Sequence, residues 1–179
     1  MNSIVILTEL QRPGGKRLAV ADFLHCGSNT SESAMSQSQS PLQIVLDAAA
    51  LNAFLKRAFP LSTDAAIAEV ITIEPGRARL ILPYHERTLR PGGVISGPTL
   101  MSVADTAVYA LILGHIGEQP MAVTTSLTMH FLRPAKPGPL TADVRLLKLG
   151  RRIATADVHL HTEGEDKPCA HAVVAYALP

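Results

Sequence analysis

From residue 41 onward the apolar and polar positions fall into patterns that separate helices from strands. Leu42, Val45, Leu46, Ala49, Phe54 and Leu55 sit at roughly helical spacing, with Pro41 at a first-turn position and Phe59-Pro60 as a stop. Glu69–Glu74 and Arg77–Pro83 flank a Pro75-Gly76 turn. In the second of these, Ala78, Leu80 and Leu82 alternate with Arg77, Arg79 and Ile81, which predicts a hairpin. Pro98 to about Leu113 is apolar almost all round, with small residues mixed among Leu and Val, and Gly114 stands where a C-terminal stop belongs. A helix of that kind is buried on most sides.

Four more strands are expected beyond it. Met121–Leu132 places Val123, Leu127, Met129 and Phe131 on one face and Thr124, Ser126, Thr128 and His130 on the other. Leu140–Leu149 and Arg152–Thr162 flank a tight Gly150-Arg151 connection, and Lys167–Leu178 ends the pattern. In Arg152–Thr162, Ala154, Ala156, Val158 and Leu160 face in, while Thr155, Asp157, His159 and His161 face out. The order is one helix, two strands, a long buried helix and four strands. An antiparallel sheet wrapped around one central helix, an α+β fold, is the simplest arrangement that buries that helix.

Residues 1–40 break this pattern. Gly27–Ser40 carries six serines with Gln37 and Gln39, too little apolar surface to offset the entropy of ordering it. The expected organisation is a flexible N-terminal extension with a Ser-rich linker over 1–40 and a folded domain over 41–179. Met35 leaves two readings open: a start at Met35, or a real tail with a docking or targeting role. The 179-residue length fits one domain plus such an appendage.

Composition narrows the classes of function. The formal net charge is +1, which lacks the basic excess that tracking nucleic-acid phosphates requires. Two cysteines, Cys26 and Cys169, make no disulfide framework. No apolar run is expected to reach the ~18–20 residues that span a bilayer, and no secretory signal opens the chain. The expectation is a soluble, cytoplasmic protein with neither nucleic acid nor membrane as partner.

Candidate chemistry concentrates around the long helix. Between Arg90 and Glu118, Asp105 is the single charged side chain, His115 aside. Aspartate is a poor helix-interior residue, and a carboxylate in an apolar setting costs free energy unless something binds it. It is either a solvent-facing aspartate or a functional one. Ser96-Gly97-Pro98-Thr99 opens the helix with backbone N–H groups that have no helical acceptor. Pro98 offers none, so Gly97 and Thr99 are the candidate donors to an anion or oxyanion. The plain alternative is a helix start with proline in its first turn.

The run RPGGVISGPTLMSVAD from Arg90 to Asp105 resembles the central-helix motif of the hotdog-fold acyl-CoA thioesterases of the phenylacetate-pathway (PaaI) type. VTTSLTMHFLRPAKPG from Val123 to Gly138 is similar to that family's next strand and turn, and Leu149–Arg152 to its next hairpin. The resemblance spans about Pro41 to Leu178. It implies that Asp105 is the catalytic carboxylate, as nucleophile or as general base on water. It also implies that the Gly97 N–H polarises the thioester carbonyl and that the Thr124 hydroxyl helps position the water or the acid. The family's histidine is Ser96 here, its second glycine is Pro98, and its upstream asparagine is Arg90.

Gly97 and Asp105 are eight residues apart, or about 12 Å along one helix. One carbonyl cannot touch both, so a shared site needs Gly97 of one subunit and Asp105 of another, related by a two-fold axis. This matches the resemblance, which implies a homodimer or tetramer with sites between subunits.

Ser96, Thr99 and Arg90 flank the helix start as candidate substrate contacts. Arg133, Lys136, Arg151 and Arg152 fall on turns, either holding coenzyme A phosphates or simply solvated. No cofactor is expected, because coenzyme A enters as part of the substrate. His159 and His161 share a strand face and could bind a metal, but spacing identifies no third ligand, so no metal site is expected. Cys169 reads as a small strand residue rather than a nucleophile. The expected activity is hydrolysis of an acyl-CoA. A hotdog enoyl-CoA hydratase is the enzymatic rival, weakened because Ala110 stands where that chemistry needs histidine. A non-catalytic acyl-CoA binding protein or sensor is the rival of a different class.

Overall fold

The computed structural model describes residues 42–59 and 67–179, so the expectations for residues 1–40, Pro41 and Pro60 lie outside the described residues. The first helix, α1 (Ala48–Ala58), begins later than the apolar spacing suggests. Its N-cap is Asp47, whose carboxylate accepts from the Ala50 N–H at 2.8 Å. Leu42–Leu46 is instead a non-helical lead-in. The Val45 and Leu46 N–H groups both donate to the Gly114 carbonyl, at 2.7 and 3.2 Å.

The hairpin forms as expected, β1 (Glu69–Glu74) and β2 (Arg77–Leu82). A two-residue ladder that the pattern does not announce follows, β3 (Leu89–Arg90) with β4 (Val94–Ile95). The long helix, α2, runs Gly97–Ile116 and stops at Gly117, at φ 83°, rather than at Gly114. Gly114 is a packing glycine: a Cβ there would lie 2.1 Å from Cδ1 of Ile73. Those 20 residues are long and apolar enough to cross a bilayer, which revises the expectation that no stretch reaches that length. Most of the helix is nonetheless buried within the fold, 67% of its most apolar window.

The sheet is completed by β5 (Val123–Phe131), β6 (Leu140–Leu149), β7 (Ile153–Thr162) and β8 (Ala170–Ala177). Six strands, all antiparallel, lie in the order β1-β2-β6-β7-β8-β5. Their inner face covers α2. Leu80, Ala142, Val158, Leu160 and Val174 are fully buried, as are Val108, Leu111 and Ile112 of the helix.

His115 ties the helix end to the hairpin. Its Nε2 accepts from the Gly76 N–H at 3.0 Å, so the ring is neutral and Nδ1–H donates to the Gln43 carbonyl at 2.7 Å. The role is structural.

The strand β5 departs most from simple alternation. A bulge lies between Thr124 and Ser126, where β5 pairs with β8. Beyond it, Leu127, Met129 and Phe131 lie opposite Val174, Ala172 and Ala170 of the inner row, as expected. Before it, Thr124 lies opposite the buried Tyr176. The extra residue reverses the alternation and carries Thr124 to the inner face, with Val123 to the outer, opposite to the expectation.

Candidate active site

Asp105 is half-buried near the middle of α2. The reversed alternation brings the Thr124 hydroxyl to its Oδ1, to which it donates at 2.7 Å. The Tyr176 hydroxyl donates to the same oxygen at 2.7 Å and lies 3.2 Å from the Asp105 backbone carbonyl. Two donors converging on Oδ1 fix the rotation of the carboxylate. Its second oxygen, Oδ2, accepts no hydrogen bond among the described residues. Asp105 is therefore not held by solvent alone: two side chains bind one of its oxygens.

Sequence reasoning did not single out Tyr176. The available signal is the inner row of β8, where Ala170, Ala172 and Val174 are followed by one residue with a polar tip. Burial pushes its hydroxyl well above the ordinary tyrosine range; the adjacent Thr124 hydroxyl opposes this, and the Asp105 charge adds to it. Tyr176 therefore stays protonated and serves as a donor. Its ring stacks on Tyr109, with centroids 5.9 Å apart, and Phe59 meets Tyr109 edge-on at 6.3 Å. These groups border a cleft of about 280 Å³, which Asp105, Thr124, Ala122 and Val123 also line. The cleft thus joins one positioned carboxylate to a mainly apolar and aromatic wall.

The other expected donors are at the start of the same helix. Ser96 caps α2: its Oγ accepts from the Thr99 N–H at 3.3 Å and lies 2.8 Å from Thr99 Oγ1. Thr99 Oγ1 also donates to the Thr88 carbonyl at 3.3 Å. The expectation of Thr99 as a second free backbone donor is thereby corrected, because the cap occupies it. The Gly97 N–H donates to no acceptor among the described residues. Phe131 lies beside Gly97, its Cζ 3.4 Å from where an added Cβ would stand, an ordinary van der Waals contact.

Arg90 is exposed on β3, in the small ladder that leads into α2. Arg133 donates to the Pro168 carbonyl and Lys136 pairs with Glu165, both just past the Phe131 end of β5. Arg151 and Arg152 line a groove of about 880 Å³ with Ile153, Ala177 and Leu178. Ile153, Ala177 and Val123 form one rung of the sheet, next to the rung holding Ala154, Tyr176 and Thr124. Arg151 and Arg152 are therefore at the Asp105 end, and Arg133 and Lys136 at the Gly97 end.

Cys169 is buried just before β8, its thiol donating to the Leu160 carbonyl at 3.3 Å. Burial pushes that thiol up, away from nucleophilic behaviour. His161 is not part of the histidine group that the sheet assembles. His159 instead meets His171 and Asp157.

A family model described as the thioesterase superfamily matches residues 92–169, a span that holds Gly97, Asp105 and Thr124. A candidate esterase of Saccharolobus solfataricus is 31% identical over 107 residues, which are 59% of this chain and 69% of that one. A candidate thioesterase from a Silicibacter species, known as a crystal structure, is 37% identical. The match covers 78% of this chain and 96% of that one, with a TM-score of 0.71. The chain belongs to the thioesterase superfamily. Its fold is that family's hotdog, a long helix held in an antiparallel sheet. A mutant of the phenylacetic acid degradation protein PaaI from Thermus thermophilus is 27% identical. That match covers 65% of this chain and 96% of that one, with a TM-score of 0.55. This superfamily member thus resembles candidate esterases and thioesterases along most of its described length.

Proposed function

We propose that this protein hydrolyses an acyl-CoA thioester to the free acid and coenzyme A, and that it does so as a homodimer or a tetramer of the PaaI type. The observation that carries this reading is the Asp105 carboxylate, clamped at Oδ1 by Thr124 and Tyr176 beside an apolar cleft. With Oδ2 as general base, a water gives up its proton and attacks the thioester carbonyl carbon. The carbonyl oxygen takes the negative charge and faces the Gly97 N–H of a second subunit. Collapse breaks the carbon–sulfur bond, and the departing thiolate takes the proton from Asp105. In the nucleophilic variant Oδ2 attacks the thioester carbonyl carbon and displaces the coenzyme A thiolate, leaving an aspartyl anhydride; water then cleaves the anhydride to the free acid and the Asp105 carboxylate, and the proton released goes to the thiolate.

Assembly is supported by the edge strand. Among the described residues β5 has a sheet neighbour on one side only. Phe131, on the inner row, is 55% exposed, and Val123, on the outer face before the bulge, is 50% exposed. Pairing two β5 edges antiparallel about a two-fold axis would cover both, and would set the Gly97 end of one chain against the Asp105 end of the other. Coenzyme A phosphates would then find Arg151 and Arg152 from the Asp105 side, and Arg133 and Lys136 from the Gly97 side.

A panel of acyl-CoAs assayed for free thiol tests the activity. Thiol release with at least one member is the expected result; none across short, long and aromatic acyl groups would refute it. Tyr176→Phe should lower kcat by roughly tenfold to a hundredfold, the range of a lost hydrogen bond to a charged group, with KM little changed. A loss confined to KM would show that the hydroxyl binds substrate instead of positioning Asp105.

A further inference from the structure

The outer face of the sheet, turned away from α2, carries a polar group that hydrolysis does not use. The inward residues Ala156, Val158 and Leu160 of β7 are fully buried, so Asp157 and His159 between them face the other way. His159 lies directly opposite His171 on β8. Asp157 is only 7% exposed, and its Oδ2 is 4.0 Å from Nδ1 of His159 and 3.9 Å from Nε2 of His171. The three ligand atoms lie within 4.8 Å of one another.

We propose that Asp157, His159 and His171 form a binding site for one divalent cation of the zinc class. One carboxylate and two imidazoles are a borderline-soft donor set that suits zinc better than magnesium or calcium, and it leaves a coordination position for water. Ligand atoms around tetrahedral zinc stand about 3.3 Å apart, given bonds near 2.0–2.1 Å. Closing from 3.9–4.0 Å at the carboxylate, and from no more than 4.8 Å between the imidazoles, needs movements of under about 1 Å per ligand. The His159 side chain is 45% exposed and that of His171 27%, so both rings have room to turn.

The neighbours fit this use. Arg145 Nε donates to Oδ1 of Asp157 at 3.2 Å, which holds the carboxylate with Oδ2 toward the imidazoles. Its Nη2 reaches Oδ2 only at 3.5 Å, the limit of a hydrogen bond, and the Arg145 side chain is 59% exposed and free to yield. The His130 ring lies nearly parallel to that of His171, 10° apart in plane with centroids at 6.3 Å, and backs it from β5.

The test uses the full chain, stripped with chelator and titrated with zinc ion alone. Uptake of one zinc per chain is expected, with selective shifts of the His159 and His171 imidazole resonances in NMR. His159→Gln and His171→Gln should each weaken binding by roughly 100-fold or more, the upper end of what losing an outer-shell partner costs. His161→Gln, on the same strand face, should leave affinity unchanged. The binding readout does not depend on thioester hydrolysis, so it stands or falls separately from the proposed activity. Absence of stoichiometric uptake would overturn the site. So would uptake that survives the double variant H159Q/H171Q, or zinc that leaves both imidazole resonances unmoved.

Discussion

Asp105→Asn is expected to keep the fold and to lower acyl-CoA turnover by at least ~100-fold, the scale of a lost general base. The substitution keeps the size and shape of the side chain. Its amide oxygen can still accept from Thr124 and Tyr176, which now donate to Oδ1 at 2.7 Å each. The half-buried position and the helix around it are unchanged, so the thermal midpoint should move little. What disappears is the oxygen that no described side chain holds, the one with a lone pair for a water proton or a carbonyl carbon. Steady-state turnover with the best substrate from the thiol-release panel, measured beside a melting curve, separates the two effects. Near-normal turnover in a folded variant would remove Asp105 from the chemistry.

Much of this architecture is legible in the sequence, for identifiable reasons. The central helix shows itself because an apolar stretch interrupted by one carboxylate has few explanations, and Asp105 stands out for the same reason. What escaped depends on contacts between elements. Gly114 looks like a helix stop, but it is a packing position, where a Cβ would meet the Cδ1 end of Ile73, and the stop is Gly117. Pro41 looks like a helix start, but Asp47 supplies the cap. Thr124 changes face because of a bulge that no alternation rule announces. Tyr176 is one tyrosine in an alternating strand until its hydroxyl is seen on Asp105. His171 is distant in sequence from His159, and only the pairing of β7 with β8 sets them opposite each other. Local chemistry wrote the elements; strand register and the bulge assembled the site.

A mixed dimer is expected to recover activity that neither parent has. Gly97 and Asp105 both lie on α2, so their separation of about 12 Å along one helix stands, and no single carbonyl reaches both within a chain. Gly97→Val places a branched side chain over the free N–H. Its Cβ would be in van der Waals contact with the Phe131 ring at 3.4 Å, and its branched methyl groups crowd the approach to the N–H. Asp105→Asn removes the base. Each homodimer then has two defective sites. If every site takes its N–H from one chain and its carboxylate from the other, a mixed dimer holds one site with both defects and one site with neither. Subunit exchange between the two inactive variants, with mixed dimers confirmed by native mass spectrometry, is the measurement that bears most directly on the shared site. The account predicts recovery to about half the native activity per mixed dimer on a closed two-fold geometry. Confirmed mixed dimers with no recovered activity would contradict it, because each site would then draw both groups from one chain and the carbonyl would need a donor other than Gly97.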